Sequence, residues 1–427
     1  MRVSAAFPGR AFHAGLRVKS DPSRRIVAAS LVAAPALALA SCGFLDSSAR
    51  NRPRAAAEAD PLPPPDEPPA GVPAAADATT TIGTGTVRIA LVLPFSGPRD
   101  GAAAAASLRN AVELAISEFA SPSVTIAVRD DRGTAEGARA AATAAFAEGA
   151  ELVLGPLFAP SVAAVGTVAR GQDRPVIAFS TDAGVASRGV YLLSFLPGNE
   201  VERVIAYAAT ERRRSVAALL PDTTYGQVVE ASFVEAAARR GFRVVATERY
   251  AAGQPGPAVS RLASAIAGRS ASADTLFMPV PGDDLAAVSG ALSGIGFDPA
   301  RVRPLGTGLW SDGRAARLPV LAGGLYAGPE GAGFAAFAAR YRARFGQDPV
   351  RLATLAYDAA SLAAALAREP APGRFAEATL AARTGFAGAD GAFRFRSDGT
   401  SERALAIHEL RPEGAVVVSA APKTFAA

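Results

Sequence analysis

The sequence predicts an α/β protein whose body is two Rossmann-like, doubly wound lobes. Two observations carry that expectation. Short runs that are apolar throughout alternate with longer segments of helical period, the pattern of parallel strands covered by helices on both faces. The alternation also occurs twice over comparable lengths, first across residues 87–195 and again from Asn199 to Gly308. A (β/α)8 barrel would need eight even strand–helix units, and these cannot be counted here without strain.

Taken in chain order, the first segment is an export signal. Arg2, Arg10, Arg17, Lys19, Arg24 and Arg25 precede the 16-residue apolar stretch IVAASLVAAPALALAS (26–41). That stretch is short of the roughly 20 residues a comfortable transmembrane helix needs. It ends in Leu39-Ala40-Ser41-Cys42, which matches the bacterial lipobox of a branched apolar residue, two small residues and cysteine. The match predicts cleavage after residue 41 and lipidation of Cys42, hence a membrane tether. An ordinary secretory signal with a coincidental cysteine is the alternative, but the chain's one cysteine stands at the required place. One cysteine also excludes a scaffold held by intrachain disulfides.

The charge balance sharpens the class. The chain has a formal net charge of +5, from 44 basic and 39 acidic residues. Residues 1–42 account for six of the bases and only one acid, Asp21, so the rest carries 38 of each. A neutral body lacks the basic footprint that phosphate backbones require, and no nucleic-acid partner is expected. Residues 42–86, with Pro53, Pro61, Pro63, Pro64, Pro65, Pro68, Pro69 and Pro73, read as a solvated linker. Its reach is about 130 Å as polyproline and roughly 35–40 Å as a flexible coil.

The body begins at Val87. VRIALVLP (87–94), VTIAV (124–128), ELVLG (151–155), PVIAFS (175–180) and YLLSF (191–195) are predicted strands. Helices fall between them, with Leu108, Val112, Ala115, Ile116 and Phe119 on one face of the first. The second series runs through VERVIAYAA (201–209), SVAALLP (215–221), a helix to Arg240, FRVVATERY (242–250) and DTLFMPV (274–280), and ends in VRPLGTG (302–308). After Trp310 the pattern is mostly helical, and the tail returns to strands at 391–399, 403–410 and 415–420.

Catalytic and metal chemistry find no foothold. His13 and His408 are the two histidines, and His13 lies in the leader. There is no GxSxG, Walker or HExxH motif, and GTGTVRIA (83–90) places its glycines before a strand rather than after it. No catalysis and no cofactor are expected.

Four landmarks, VRIALVLPFSG (87–97), ELVLGPL (151–157), RPVIAFSTD (174–182) and PDTTYG (221–226), resemble type I periplasmic binding proteins of the leucine-binding branch. The resemblance spans about residues 87–410. It implies two lobes joined by three crossovers, here near Leu196-Pro197, Gly308-Leu309-Trp310 and 385–391, with a ligand held between the lobes. The first lobe would then be 87–196 plus 310–384, and the second 197–309 plus 385–427. Within that frame, AFSTDAGVASRGVYLLSFLPGNEVERVIAYAA (178–209) and GAFRFRSDGTSERALAIHEL (391–410) resemble the penicillin-binding protein activator lipoproteins. That narrower resemblance implies an outer-membrane lipoprotein that stimulates a bifunctional penicillin-binding protein in peptidoglycan synthesis. Gly43, which permits sorting onward to the outer membrane, and the long linker fit such a role. The alternatives are a lipid-anchored ABC-transporter solute-binding protein for an amino acid or similar polar solute, and a sensor lobe that reports ligand occupancy.

In open α/β sheets the ligand lies beyond the carboxyl ends of the strands. That rule selects Ser96, Gly97, Phe158, Ser161, Ser180, Thr181 and Asp182 on the first lobe, and Tyr225, Gln227 and Asp283 on the second, with Trp310 at a crossover. By resemblance, hydroxyls such as those of Ser161 and Thr181 would take a ligand carboxylate and an acid such as Asp283 its ammonium group. Each has a plainer reading: Ser161 as a helix N-cap, Asp222 as a cap beside Tyr225-Gly226, Gly97 as a turn, Trp310 as packing. Phe158 and Pro160 would narrow the pocket, and Asp182 would oppose a carboxylate.

Overall fold

The computed structural model describes residues 80–119 and 123–425. Cys42, the export signal and the proline-rich stretch through residue 79 lie outside the described residues.

The first sheet holds β1 (Thr81–Ile82), β2 (Val87–Leu93), β3 (Val124–Asp130), β4 (Leu152–Leu154), β5 (Val176–Ala178) and β6 (Val190–Leu192). Its order is β1-β3-β2-β4-β5-β6, parallel throughout except for β1, which runs antiparallel to β3. Helices α1 (Arg99–Ser117), α2 (Ala135–Ala147) and α3 (Ala159–Gly171) make the crossovers. Strand β2 shows why these runs are apolar without alternation. Ile89, Leu91 and Leu93 enter one core and Ala90 and Val92 enter another on the opposite face. A strand covered on both sides has no face left for polar residues.

The second lobe repeats the logic with α4 (Pro197–Thr210), β7 (Ser215–Pro221), α5 (Thr224–Arg240), β8 (Arg243–Tyr250), α6 (Gly256–Ile266), β9 (Thr275–Phe277), α7 (Leu285–Gly294), β10 (Arg303–Gly306) and β11 (Leu325–Gly328). Ala217 and Leu219 of β7 point into one core, Val216, Ala218 and Leu220 into the other. The chain then forms α8 (Ala332–Phe345) and α9 (Ala353–Leu366), whose Phe337, Tyr341, Leu355 and Ala359 join the core of the first lobe. A hairpin of β12 (Phe393–Phe395) and β13 (Ser401–Arg403) precedes β14 (Ala406–Arg411) and β15 (Gly414–Ser419). These last two complete the second sheet in the order β15-β14-β11-β10-β9-β7-β8.

The lobe boundaries differ from the sequence expectation at three places. Residues 310–328 stay in the second lobe, because Trp310, Ala315, Val320 and Leu321 are in its core and β11 pairs with β10. The second crossover is therefore at Pro329–Gly331, not at Gly308–Trp310. The strand LYAG is four residues long and bordered by glycine, too short to show a period. The third crossover lies at Ala404 rather than 385–391: Phe393 and Phe395 belong to the first core, Leu405 and Ile407 to the second. Residues 80–86, finally, were expected in the linker. Ile82 is buried and β1 pairs with β3, so 80–86 belong to the fold.

Candidate functional site

Both lobes line a groove of about 530 Å³ beside the first crossover. Thr181 and Ala183 come from the loop after β5, and Pro197 and Asn199 from the start of α4. Val228, Ser232 and Arg239 form one stripe along α5, and Thr400 and Glu402 close it from the β12–β13 hairpin. The hairpin is held there by backbone: the Leu192 amide donates to the Gly399 carbonyl (2.8 Å) and the Asn199 side-chain amide to that of Ser401 (2.9 Å). The charges in the groove are neutralised within it. Arg239 and Arg240 both bond Glu202, Arg239 also bonds Glu235, and Arg396 lies 3.4 Å from Glu402. Beside these ion pairs, hydroxyl, amide and aliphatic groups line the rest of the groove.

The other first-lobe candidates gather on a separate rim. Ser96 donates its backbone N–H to Asp130 Oδ1 (3.2 Å), and its hydroxyl bonds the same carboxylate. Gly97 closes a turn onto Pro94 (3.2 Å), and a Cβ there would sit 3.1 Å from Pro94 and 3.4 Å from the Gly133 amide, so the turn reading holds. Phe158 packs its ring edge toward Gly101 and Gly133. Ser180 is buried and accepts from the Asp182 amide (3.2 Å), while Asp182 caps the next turn through the Gly184 amide (2.8 Å).

Four expectations need correction. Ser161 is neither an N-cap nor open to the cleft. Pro160 starts α3 earlier, Phe158 is the N-cap, and the fully buried Ser161 hydroxyl donates to the Thr134 carbonyl (3.3 Å). Trp310 has no exposed surface and packs against Gly306 and Gly324 in the second core, so it cannot stack on a ligand. Asp283 is 96% exposed and pairs with Arg314 (3.0 Å), a solvated ion pair rather than an anchor in a cavity. The cap of α5 is likewise Thr223, not Asp222.

Tyr225 turns its hydroxyl to Thr307 (2.9 Å), and burial pushes its pKa up. Beside it is Glu200, which the sequence reading passed over. One carboxylate oxygen accepts from the Gly308 amide (2.9 Å), yet burial pushes the carboxyl up to about 7. Asp131, at the end of β3, is a second such acid: fully buried, bonded to the Gly133 amide (2.8 Å) and pushed by burial up to about 6. An acid in the first turn of a helix, or doubled after a strand, looks like capping; only burial marks these two. Among the described residues no group of three His, Cys, Asp or Glu side chains could hold a metal.

Comparison with known proteins gives a consistent result. Among solved structures, a putative branched-chain amino acid ABC transporter protein from Rhodospirillum rubrum matches with a TM-score of 0.68 at 21% identity, covering 78% of this chain and 99% of its own. A branched-chain amino acid ABC transporter periplasmic ligand-binding protein from Burkholderia xenovorans matches at 0.61 and 17%, covering 79% and 96%. A branched-chain amino acid transporter substrate-binding protein from Streptococcus pneumoniae, in complex with isoleucine, matches at 0.52 and 19%, covering 78% and 99%. No curated protein is significantly similar in sequence. The model of one family, described as periplasmic binding protein, matches residues 86–415. With two open, mostly parallel sheets, a groove lined by both lobes and that match over most of its length, the chain belongs to the periplasmic binding protein family.

Proposed function

We propose that this protein is a solute-binding protein that captures a small polar ligand between its lobes and presents it to an ABC importer. The observation that carries this is the groove to which the Thr181 loop of one lobe and helix α5 of the other both contribute. Its volume, about 530 Å³, falls in the range of roughly 300–1,000 Å³ typical of small-molecule sites. Structural relatives support the class of ligand: one holds isoleucine and another, from R. palustris, holds benzoate. Thr181, Asn199, Ser232 and Thr400 would hydrogen-bond the solute, with Ser96, Gly97, Phe158, Ser180, Asp182 and Tyr225 as the wider rim. Family membership places the body outside the cytoplasm, and Cys42 would tether it to a membrane. The test is a melting-temperature screen against the amino acids and simple aromatic carboxylates. The expected result is a rise for one of them that Thr181→Ala abolishes. A folded protein whose melting point none of them moves would refute the reading.

One arrangement favours a second reading, activation of a penicillin-binding protein. The segments 178–209 and 391–410 join through the Leu192–Gly399 and Asn199–Ser401 bonds and an Arg203–Leu405 bond (2.9 Å), and they form one surface around the groove. Purified protein that accelerates glycan polymerisation or crosslinking by such a synthase, and binds no solute, would establish that reading in place of the first.

A further inference from the structure

A second cavity, of about 620 Å³, lies wholly within the first lobe, at the end of the sheet away from the groove. It opens where β4, β5 and β6 begin, not beyond their carboxyl ends. Glu151, Pro175 and Gly189 stand immediately before those three strands, and Pro372 and Phe375 close the cavity from the segment after α9. Tyr191 forms its floor. This residue is 1% exposed, with its ring in the first core against Phe395 (5.2 Å between centroids). Its hydroxyl comes out beside Arg188 and Glu377 on the cavity wall and meets no hydrogen-bond partner among the described residues. A buried phenol ordinarily has such a partner. Burial pushes the Tyr191 pKa up, so the hydroxyl keeps its proton and is available as a donor.

The charges around that hydroxyl are unequally matched. Arg188 pairs with Glu377 (2.7 Å), and Arg374 lies 3.4 Å from Glu151. Arg170 instead reaches the hydroxyls of Ser187 (3.5 Å) and Thr167 (3.4 Å), and Arg174 bonds no carboxylate among the described residues. Asp173, exposed at the rim, is the one carboxylate of the lining without a guanidinium within 4 Å. Two uncommitted cations thus face one uncommitted acid, beside a phenol with a proton to give. An anionic head group satisfies the guanidinium and phenol donors together, in charge-assisted hydrogen bonds. Pro175, Pro372 and Phe375 offer apolar surface to whatever that head group carries. The volume is within the roughly 300–1,000 Å³ of small-molecule sites. We propose that this cavity is a second binding site, for a small organic anion with a carboxylate or phosphate head and an apolar body. It shares no residue with the groove, so it stands apart from the solute-binding reading.

The test is isothermal titration calorimetry of the full chain with benzoate, phenyl phosphate and, as the uncharged control, benzyl alcohol. Saturable binding of at least one anion is expected, and the tighter of the two identifies the head group. Arg174→Gln, at an exposed position, should weaken that binding about tenfold, the loss of one charge-assisted hydrogen bond. Tyr191→Phe keeps the ring in the core and removes the donor, and should weaken it about fivefold. Thr181→Ala, in the groove, should leave it unchanged. Circular dichroism checks folding, and Arg170→Gln replaces Tyr191→Phe if that variant is unstable. The proposal is overturned if neither anion binds, if the alcohol binds equally well, or if the folded cavity variants bind as the parent does. Binding that Thr181→Ala abolishes belongs to the groove and overturns it as well.

Discussion

Replacing Glu200 by Gln should change how stability depends on pH, and the sign follows from burial. An ordinary glutamate releases its proton near 4.5; in the folded protein Glu200 holds it up to about 7. Between those values the folded state binds more protons than the unfolded state, so stability falls as pH rises from 4.5 to 7 and is level above. At about 1.4 kcal/mol per pH unit, the full loss is about 3 kcal/mol. Glu200 retains some exposure at the site, which brings the expected figure to about 2 kcal/mol. Glutamine keeps an oxygen that can accept from the Gly308 amide and does not titrate. Urea unfolding of both proteins at pH 4.5, 6 and 7.5 measures the effect. The stability of Glu200→Gln relative to the parent should rise by about 2 kcal/mol across that range. Asp131 and Asp358 are also pushed up by burial, but they titrate in both proteins and cancel in the difference. Parallel curves for the two proteins would refute the assignment of a buried, proton-holding Glu200.

Three further outcomes follow from the packing. Trp310→Ala should cost about 3–5 kcal/mol in chemical denaturation, because a fully buried indole leaves a large cavity in the second core. Arg403→Leu should cost about 3–5 kcal/mol by removing the ion-pair partner 3.8 Å from the buried Asp358, whereas the double change with Asp358→Leu should be markedly less costly. A double-mutant cycle in urea reads that coupling, and additive costs would contradict it. Gly155→Ala should lower the melting point by several degrees, since φ is +88° and a Cβ would stand 2.1 Å from the Val92 carbonyl oxygen.

The fold could be read from the sequence wherever a strand is buried on both faces. SVAALLP at 215–221 coincides with β7 at both ends, because an unbroken apolar run has one physical interpretation when helices flank it. Thr181 could also be found, since it follows such a strand. Glu200, Asp131, Asp358 and Arg403 could not, because each looks in sequence like an ordinary cap or surface charge.

The amino-acid sequence by itself determined the class: two doubly wound lobes, a near-zero charge balance after residue 42, and no recognised motif for catalysis. These depend on composition and on periods shorter than one element. Tertiary structure alone decided that β11 extends the second sheet, that Trp310 is core, and that Ser161 is sealed beneath Thr134. It also brought Phe195, Arg351, Asp358 and Arg403 together across more than 200 residues of chain. The reason is physical: burial and charge pairing depend on what lies across space, and no local pattern records which distant segment that will be.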